Sequence, residues 1–312
     1  MAEKELLVGT LNLWEDFIWE KRRDYIYEVL RHHGFHGGNQ RGIILALQEV
    51  NIRKTNFLKD LETELHFNPE EVFFFPISVP GKYGLAIVTN LDVIRSGVKI
   101  FSSTRRSDYQ RGVALMELRH ENQPLVFANT HLDFHERTQI QEGLECLRIF
   151  RDFIVEGLQL SGGIREELLG SSIYQLRSFT NMLLVGDLNA DIFTNLYREF
   201  EQAGLIDWTR SLNRKYRYVF EPPIGRQFPF FRSPIKRRLS HTWPPDLRWF
   251  YDIHARELQN VPSYSVLQRW MDYIWGCADL IPKRVMLMGT RPKMVKGEKI
   301  YISDHLAPMA VF

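Results

Sequence analysis

Cysteine is nearly missing: Cys146 and Cys277 are the two thiols in 312 residues. One disulfide is arithmetically available, but so few cysteines in so long a chain fit buried thiols in a reducing compartment better than a disulfide scaffold. No stretch approaches the ~18 consecutive apolar residues of a membrane span. The opening Met-Ala-Glu-Lys-Glu-Leu-Leu-Val lacks the apolar core of a secretory signal. The expectation is therefore a soluble, intracellular protein, cytoplasmic or nuclear. An excess of one charge is missing too. Lys and Arg number 40 against 38 Asp and Glu, a formal +2, so any attraction for a polyanion must be local. Metal clusters of the zinc type are not in evidence: Arg31-His32-His33 with His36 has no second ligand pair at zinc spacing and reads as a solvated helix end. Gly37-Gly38 and Gly162-Gly163 lack the strand–helix context of nucleotide-binding loops. Internal repeats and linkers are absent as well, so residues 1–312 are read as one domain; a monomer is the expectation.

What is present is a globular balance, 44% apolar and 25% charged. Short runs rich in Val, Ile, Leu and Phe recur and predict strands over Glu5–Trp14, Gly42–Val50, Val72–Val79, Tyr83–Asn90 and Val98–Ser103. The series continues with Gly112–Arg119, Pro124–Leu132, Met182–Asp187, Met271–Trp275, Arg284–Met288 and Leu306–Phe312. Helical spacing appears in Glu15–His33, stopped by Gly34, and in Thr55–Leu65 with Thr55 as N-cap. Glu136–Leu160 and Asn195–Ala203 complete the helices. Two groups of strands with helices outside them predict an α/β fold. Its form is a four-layer helix–sheet–sheet–helix sandwich with two mainly antiparallel or mixed sheets. The run from Arg291 to Lys299 reads as a solvated turn.

The polar residues sit where apolar strands stop. Asn12 follows Thr-Leu, Glu49 follows Leu-Gln, and His131 lies in Asn-Thr-His-Leu. Asp187 and Asn189 fall in Gly-Asp-Leu-Asn, Asp272 in Met-Asp-Tyr, and Asp304 with His305 in Ser-Asp-His. Strand ends share a rim, so these groups can converge; Asp187 and Asn189, two apart, would face the same way along an extended segment. Taken singly, each has an ordinary structural explanation: a turn, a half-buried acid, a hydrogen-bonded core histidine, a cap. Together, six strand ends carrying such groups exceed what turn chemistry requires, and few of these residues help a core.

In combination and order these blocks resemble the endonuclease/exonuclease/phosphatase family, also called deoxyribonuclease-I-like. The match runs from Thr10 to His305 and includes Tyr83-Gly84-Leu85-Ala86-Ile87, Arg111-Gly112, Gly204-Leu205-Ile206-Asp207 and Thr242-Trp243. The resemblance implies a metal-dependent hydrolase of phosphate esters using magnesium (Mg2+) or manganese (Mn2+), hard cations suited to carboxylate ligands. It implies Glu49 as first metal ligand, Asp304 as a second, and Asn12 positioning metal or phosphate. Asp187 would activate the water and Asn189 would hold a phosphoryl oxygen. His305 would bind and neutralise phosphate with Asp272 fixing its tautomer, His131 would assist the leaving oxygen, and Arg111 would face the phosphate. One position departs: Arg105 stands where the AP-endonuclease branch has Tyr, and Tyr109 is at the wrong spacing.

The shared blocks do not choose the substrate. Ala190-Asp191 after Asn189 speaks against the inositol-phosphatase branch, and His131 counts against the AP-endonuclease branch. Arg210–Leu239 interleaves basic residues, among them Arg214, Lys215, Arg217, Arg237 and Arg238, with Tyr216, Tyr218, Phe220, Phe228, Phe230 and Phe231. Basic groups attract phosphates and aromatic faces stack on unpaired bases at about 1–3 kcal/mol each. The same mixture suits an anionic lipid surface at about 1 kcal/mol per basic residue, or a solvated loop packed on the sandwich. A nuclease acting on DNA or RNA is the leading reading. A phosphodiesterase or phosphatase for a sphingomyelin-like headgroup or a small phosphorylated metabolite is the first alternative; a non-catalytic binding protein on the same fold is the second. Pro244–Trp270, rich in Trp and Tyr, reads as packing, with a lid or partner site as the alternative.

Overall fold

The structure is a computed structural model that describes residues 4–13, 19–78, 81–102, 110–157, 176, 179–190, 194–210, 272–289, 293–295, 298–300, 302–303, 305 and 307–312. One six-stranded sheet contains β1 (Leu6–Asn12), β2 (Gly42–Asn51), β3 (Val72–Pro76), β4 (Tyr83–Thr89), β11 (Arg284–Met288) and β14 (Ala307–Val311), in the order β11-β14-β1-β2-β4-β3. The other contains β5 (Asp92–Ile100), β6 (Gly112–His120), β7 (Gln123–His131), β8 (Met182–Asp187), β9 (Ile206–Asp207) and β10 (Asp272–Gly276), in the order β5-β6-β7-β8-β10-β9. Each sheet has one parallel pair at its centre, β1 with β2 and β7 with β8. The remaining pairs are antiparallel, so both sheets are mixed, as the sequence predicts.

Helices α1 (Trp19–His32) and α2 (Phe57–Leu65) cover the first sheet; α3 (Glu136–Gly157) and α4 (Asn195–Gln202) cover the second. Leu6, Val8, Ile44, Ala46 and Ile87 from one sheet meet Ala114, Met116, Phe127, Leu183 and Val185 from the other in the interior between them. Strands buried on both faces read as continuous apolar runs, which is why β1, β4 and β8 stand out in the sequence. The edge strand β5 alternates exposed and half-buried residues and begins at Asp92, six residues before the predicted start. Its polar face hides the apolar signal. Thr55 does not cap α2: its hydroxyl donates to the Asn51 carbonyl at 2.7 Å, and Asn56 occupies the cap. The run read as a turn forms a short antiparallel pair, β12 (Lys293–Val295) with β13 (Glu298–Ile300). Three-residue strands are too brief to display a period. Among the described residues, no helix is long and apolar enough to cross a membrane.

Two features bring the strand ends to one rim. Parallel strands finish side by side, so Asn12 pairs in register with Gln48, and His131 with Asp187. Antiparallel β10 then starts where β8 stops, pairing Asp272 with Asp187. Arg22, fully buried on α1, donates to the carbonyls of Leu13 at 2.8 Å and Ile302 at 2.9 Å. One side chain thereby ties the exit of β1 to the approach of β14.

Candidate active site

At this rim, Asn12, Glu49, His131, Asp187, Asp272 and His305 come together. The Asn12 amide donates to Glu49 Oε1 and Asp187 Oδ2, each at 3.1 Å. His131 Nε2 lies 3.5 Å from Asp187 Oδ2 and 3.7 Å from Glu49 Oε1. His305 Nδ1 is 2.8 Å from Asp272 Oδ2 and 3.7 Å from Asp187 Oδ2. Asp187 Oδ2 is thus the hub, facing an amide and two imidazoles.

Local backbone geometry aims these groups. Pairing between β2 and β4 slips between Leu47 and Val50, and Glu49 sits in that bulge at φ 55°. A bulge re-aims a side chain, and a non-glycine residue held in the left-handed region costs about 1–3 kcal/mol that surrounding contacts must offset. Gly186 precedes Asp187 at φ 134°, and a Cβ there would lie 2.0 Å from the Thr130 carbonyl oxygen. Only glycine lets β8 approach β7 this closely. Asn189 is also left-handed, at φ 50°. Asn189 therefore does not follow Asp187 along an extended segment, as their spacing of two predicts. A turn brings it round instead: its N–H donates to Asp187 Oδ1 at 2.8 Å and its amide to the Leu132 carbonyl at 2.8 Å.

Arg111, 8% exposed, places Nη1 2.7 Å from His131 Nδ1 and 3.5 Å from the Tyr83 hydroxyl. A guanidinium only donates, so His131 Nδ1 accepts and its ring proton belongs on Nε2, toward the carboxylates. Asp304 and the basic residues Arg214, Lys215, Arg217, Arg237 and Arg238 lie outside the described residues. So does Pro244–Trp270, and nearly all of Arg210–Leu239.

A model of the endonuclease/exonuclease/phosphatase family matches residues 9–305. The chain belongs to that family. No curated protein matches it. Among solved structures, an endonuclease/exonuclease/phosphatase family protein from Bacteroides thetaiotaomicron is 14% identical, with a TM-score of 0.61 over 99% of this chain and 95% of that one. A mannosyl-6-phosphatase from the same organism is 16% identical, TM-score 0.57, over 98% of this chain and 99% of that one. D. rerio TDP2 complexed with a single-strand DNA product is 15% identical, TM-score 0.55, over 98% of each chain. These likenesses establish the sandwich fold, not a substrate.

In this family member the rim is electrostatically tense. Asp187 and Asp272 are each 1% exposed, while the Glu49 side chain keeps 19%. Burial pushes the Asp187 carboxyl up to about 7; Asp272 pushes the same way, against His305 and the Asn189 and Asn12 hydrogen bonds. Burial, then Arg111 and His305, hold His131 well below its ordinary range and so neutral. Burial opposes the charge of Arg111, but Tyr83, Glu49, Asp187 and Glu142 together raise its pKa. The donor set fits a hard divalent cation. Ligand atoms of Asp187, Asp272 and His305 lie within 4.8 Å of one another. Asp272 Oδ1 is buried without a hydrogen-bond partner among the described residues. Glu49 adds a partly exposed carboxylate.

Several supports escaped the sequence reading. Gln139 and Glu142, buried on α3, hold the loops at either side of the rim: Gln139 donates to the Asn189 carbonyl, and Glu142 accepts the Asp133 N–H at 2.7 Å. Tyr273 donates to the Ala190 carbonyl at 2.7 Å. Helical amphipathicity could have flagged Gln139 and Glu142 as polar residues on a buried face; nothing in the sequence pairs them with their loops. A separate pocket of about 350 Å³ lies at the far end of the sandwich, between Leu6, His120, Asn181 and Lys283, and none of the rim residues lines it.

Proposed function

We propose that this protein is a magnesium- or manganese-dependent phosphodiesterase that cleaves DNA or RNA. The reading rests on one observation: three carboxylates, two imidazoles and an amide meet around Asp187 Oδ2 with no apolar purpose. Glu49 and Asn12, with Asp304, would hold the cation, and the carboxylates of Asp187 and Asp272 stand nearby. When bound, the cation supplies charge stabilisation at the phosphoryl oxygens and at the leaving oxygen.

The protein's own groups divide the remaining work. Asp187, with its carboxyl held near neutrality, takes the proton of the attacking water. Water then bonds to phosphorus as the bond to the leaving oxygen breaks. His131 presents Nε2–H as a neutral hydrogen-bond donor. Asp272 accepts from His305 Nδ1–H, fixing that ring's tautomer and favouring its charged form beside the phosphate. Asn189 and Arg111 complete the phosphate cradle. Nucleic acid is favoured by the basic-aromatic stretch from Arg210 to Leu239 and by the DNA product named with D. rerio TDP2. A phosphomonoester substrate is the second reading, favoured by the likeness to the mannosyl-6-phosphatase.

The test is hydrolysis of single- and double-stranded DNA, RNA, sphingomyelin, inositol phosphates and a sugar phosphate. Each is run with magnesium, with EDTA, and with Asp187→Ala. Cleavage of nucleic acid that needs magnesium and Asp187 supports the proposal. Cleavage of only a lipid or small ester overturns the substrate. No turnover of any panel member, in protein shown to be folded, argues for a binding protein.

A further inference from the structure

Beneath the rim lies a second polar tier. Asn129 on β7 is fully buried between the sheets. Its amide nitrogen donates to the carbonyls of Leu47 and Ala86, both at 3.0 Å. Its oxygen accepts from Gln48 Nε2 at 2.7 Å, and Gln48 Nε2 also reaches Thr10 Oγ1 at 2.9 Å. Both amide protons and the carbonyl of Asn129 are therefore committed, in an orientation the two carbonyls dictate. Leu47 and Ala86 are the last register pair before the β2 bulge, where Gln48 and Glu49 pass between Leu47 and Val50.

The two tiers correspond strand by strand. Thr10, Gln48 and Asn129 form the lower chain; Asn12, Glu49 and His131 lie two, one and two residues further along the same strands. Residues two apart share a face of a strand, and the bulge supplies the odd step at Glu49. We infer that Asn129 is a positioning residue, whose amide clamps the β2 bulge and so aims Glu49 at the rim. The same amide locks that bulge to the strand carrying His131. Aspartate at this position would have no proton for either carbonyl, and glutamine is one methylene too long. The inference about the bulge stands on this geometry; what Glu49 then does rests on the function proposed above.

The test compares wild type with Asn129→Ser and with Phe127→Leu. Phe127 is a fully buried interior residue two positions earlier on β7, so its variant loses core stability without touching the amide chain. Amide hydrogen exchange at Gln48–Val50 is measured first, without metal. Exchange there should rise at least about tenfold more in Asn129→Ser than in Phe127→Leu. Gln48→Met, close to isosteric, should move it in the same direction and serves if Asn129→Ser does not fold. Equal exchange in the amide variants and the control overturns the inference. Mn2+ binding is then read by electron paramagnetic resonance on the wild type, Glu49→Gln and the amide variants. If Glu49→Gln weakens binding, Asn129→Ser should weaken it by about 10–100-fold. Unchanged affinity in that variant overturns the positioning role. If wild type binds no Mn2+, or Glu49→Gln binds as tightly as wild type, the metal role of Glu49 fails. Exchange alone then decides the role of Asn129.

Discussion

Asp187→Asn should remove a pH dependence from the folding stability. The wild-type carboxyl is 1% exposed, and burial lifts its pKa from 3.8 to about 7. A group that binds its proton more tightly folded than unfolded stabilises the fold at low pH. That contribution is fully present below about 3.8 and is lost as pH rises through about 7. One proton gives a slope of at most about 1.4 kcal/mol per pH unit, so the whole window holds at most roughly 4 kcal/mol. The variant's amide cannot titrate. It keeps an acceptor for the Asn189 N–H but sets an NH2 near the Asn12 amide, a cost that does not change with pH. Urea unfolding of both proteins from pH 4.5 to 8, in EDTA, isolates the slope. The wild type should lose about 1–3 kcal/mol relative to the variant between pH 5 and 8. A difference constant to within about 0.5 kcal/mol would refute the claim that a buried, proton-retaining carboxyl sits at the hub of the rim.

Three other outcomes follow from the same geometry. Gly186→Ala forces a Cβ to 2.0 Å from a backbone oxygen at φ 134°, so it should destabilise the fold by about 3 kcal/mol or more in urea; a loss under about 1 would mean that β7 and β8 can separate. Arg22→Met leaves the Leu13 and Ile302 carbonyls without their buried donor and should cost about 2–4 kcal/mol, read as a drop in the thermal midpoint. Saturating magnesium should raise the thermal midpoint of wild type and raise that of Glu49→Gln less, by mass action on the folded state; equal shifts would place the cation elsewhere.

Much of this was legible in the sequence. Strands buried on both faces are continuous apolar runs, so β1, β2, β4 and β8 could be found within a few residues, and the polar groups at the strand ends named a rim. The order of those blocks along the chain carried the family, because phosphate chemistry needs the same residue types wherever the strands stop. Tertiary structure decided what periodicity cannot encode. That β1 and β2 run parallel, and β7 and β8 likewise, is a matter of pairing between distant segments. Glu49 points at the rim because one extra residue bulges β2, and Asn189 arrives by a left-handed turn rather than along an extended face. Arg22, Gln139 and Asn129 look in sequence like any polar residue on a helix or strand. Their importance lies in carbonyls and amides tens to hundreds of residues away, and only the folded chain brings those within hydrogen-bond reach.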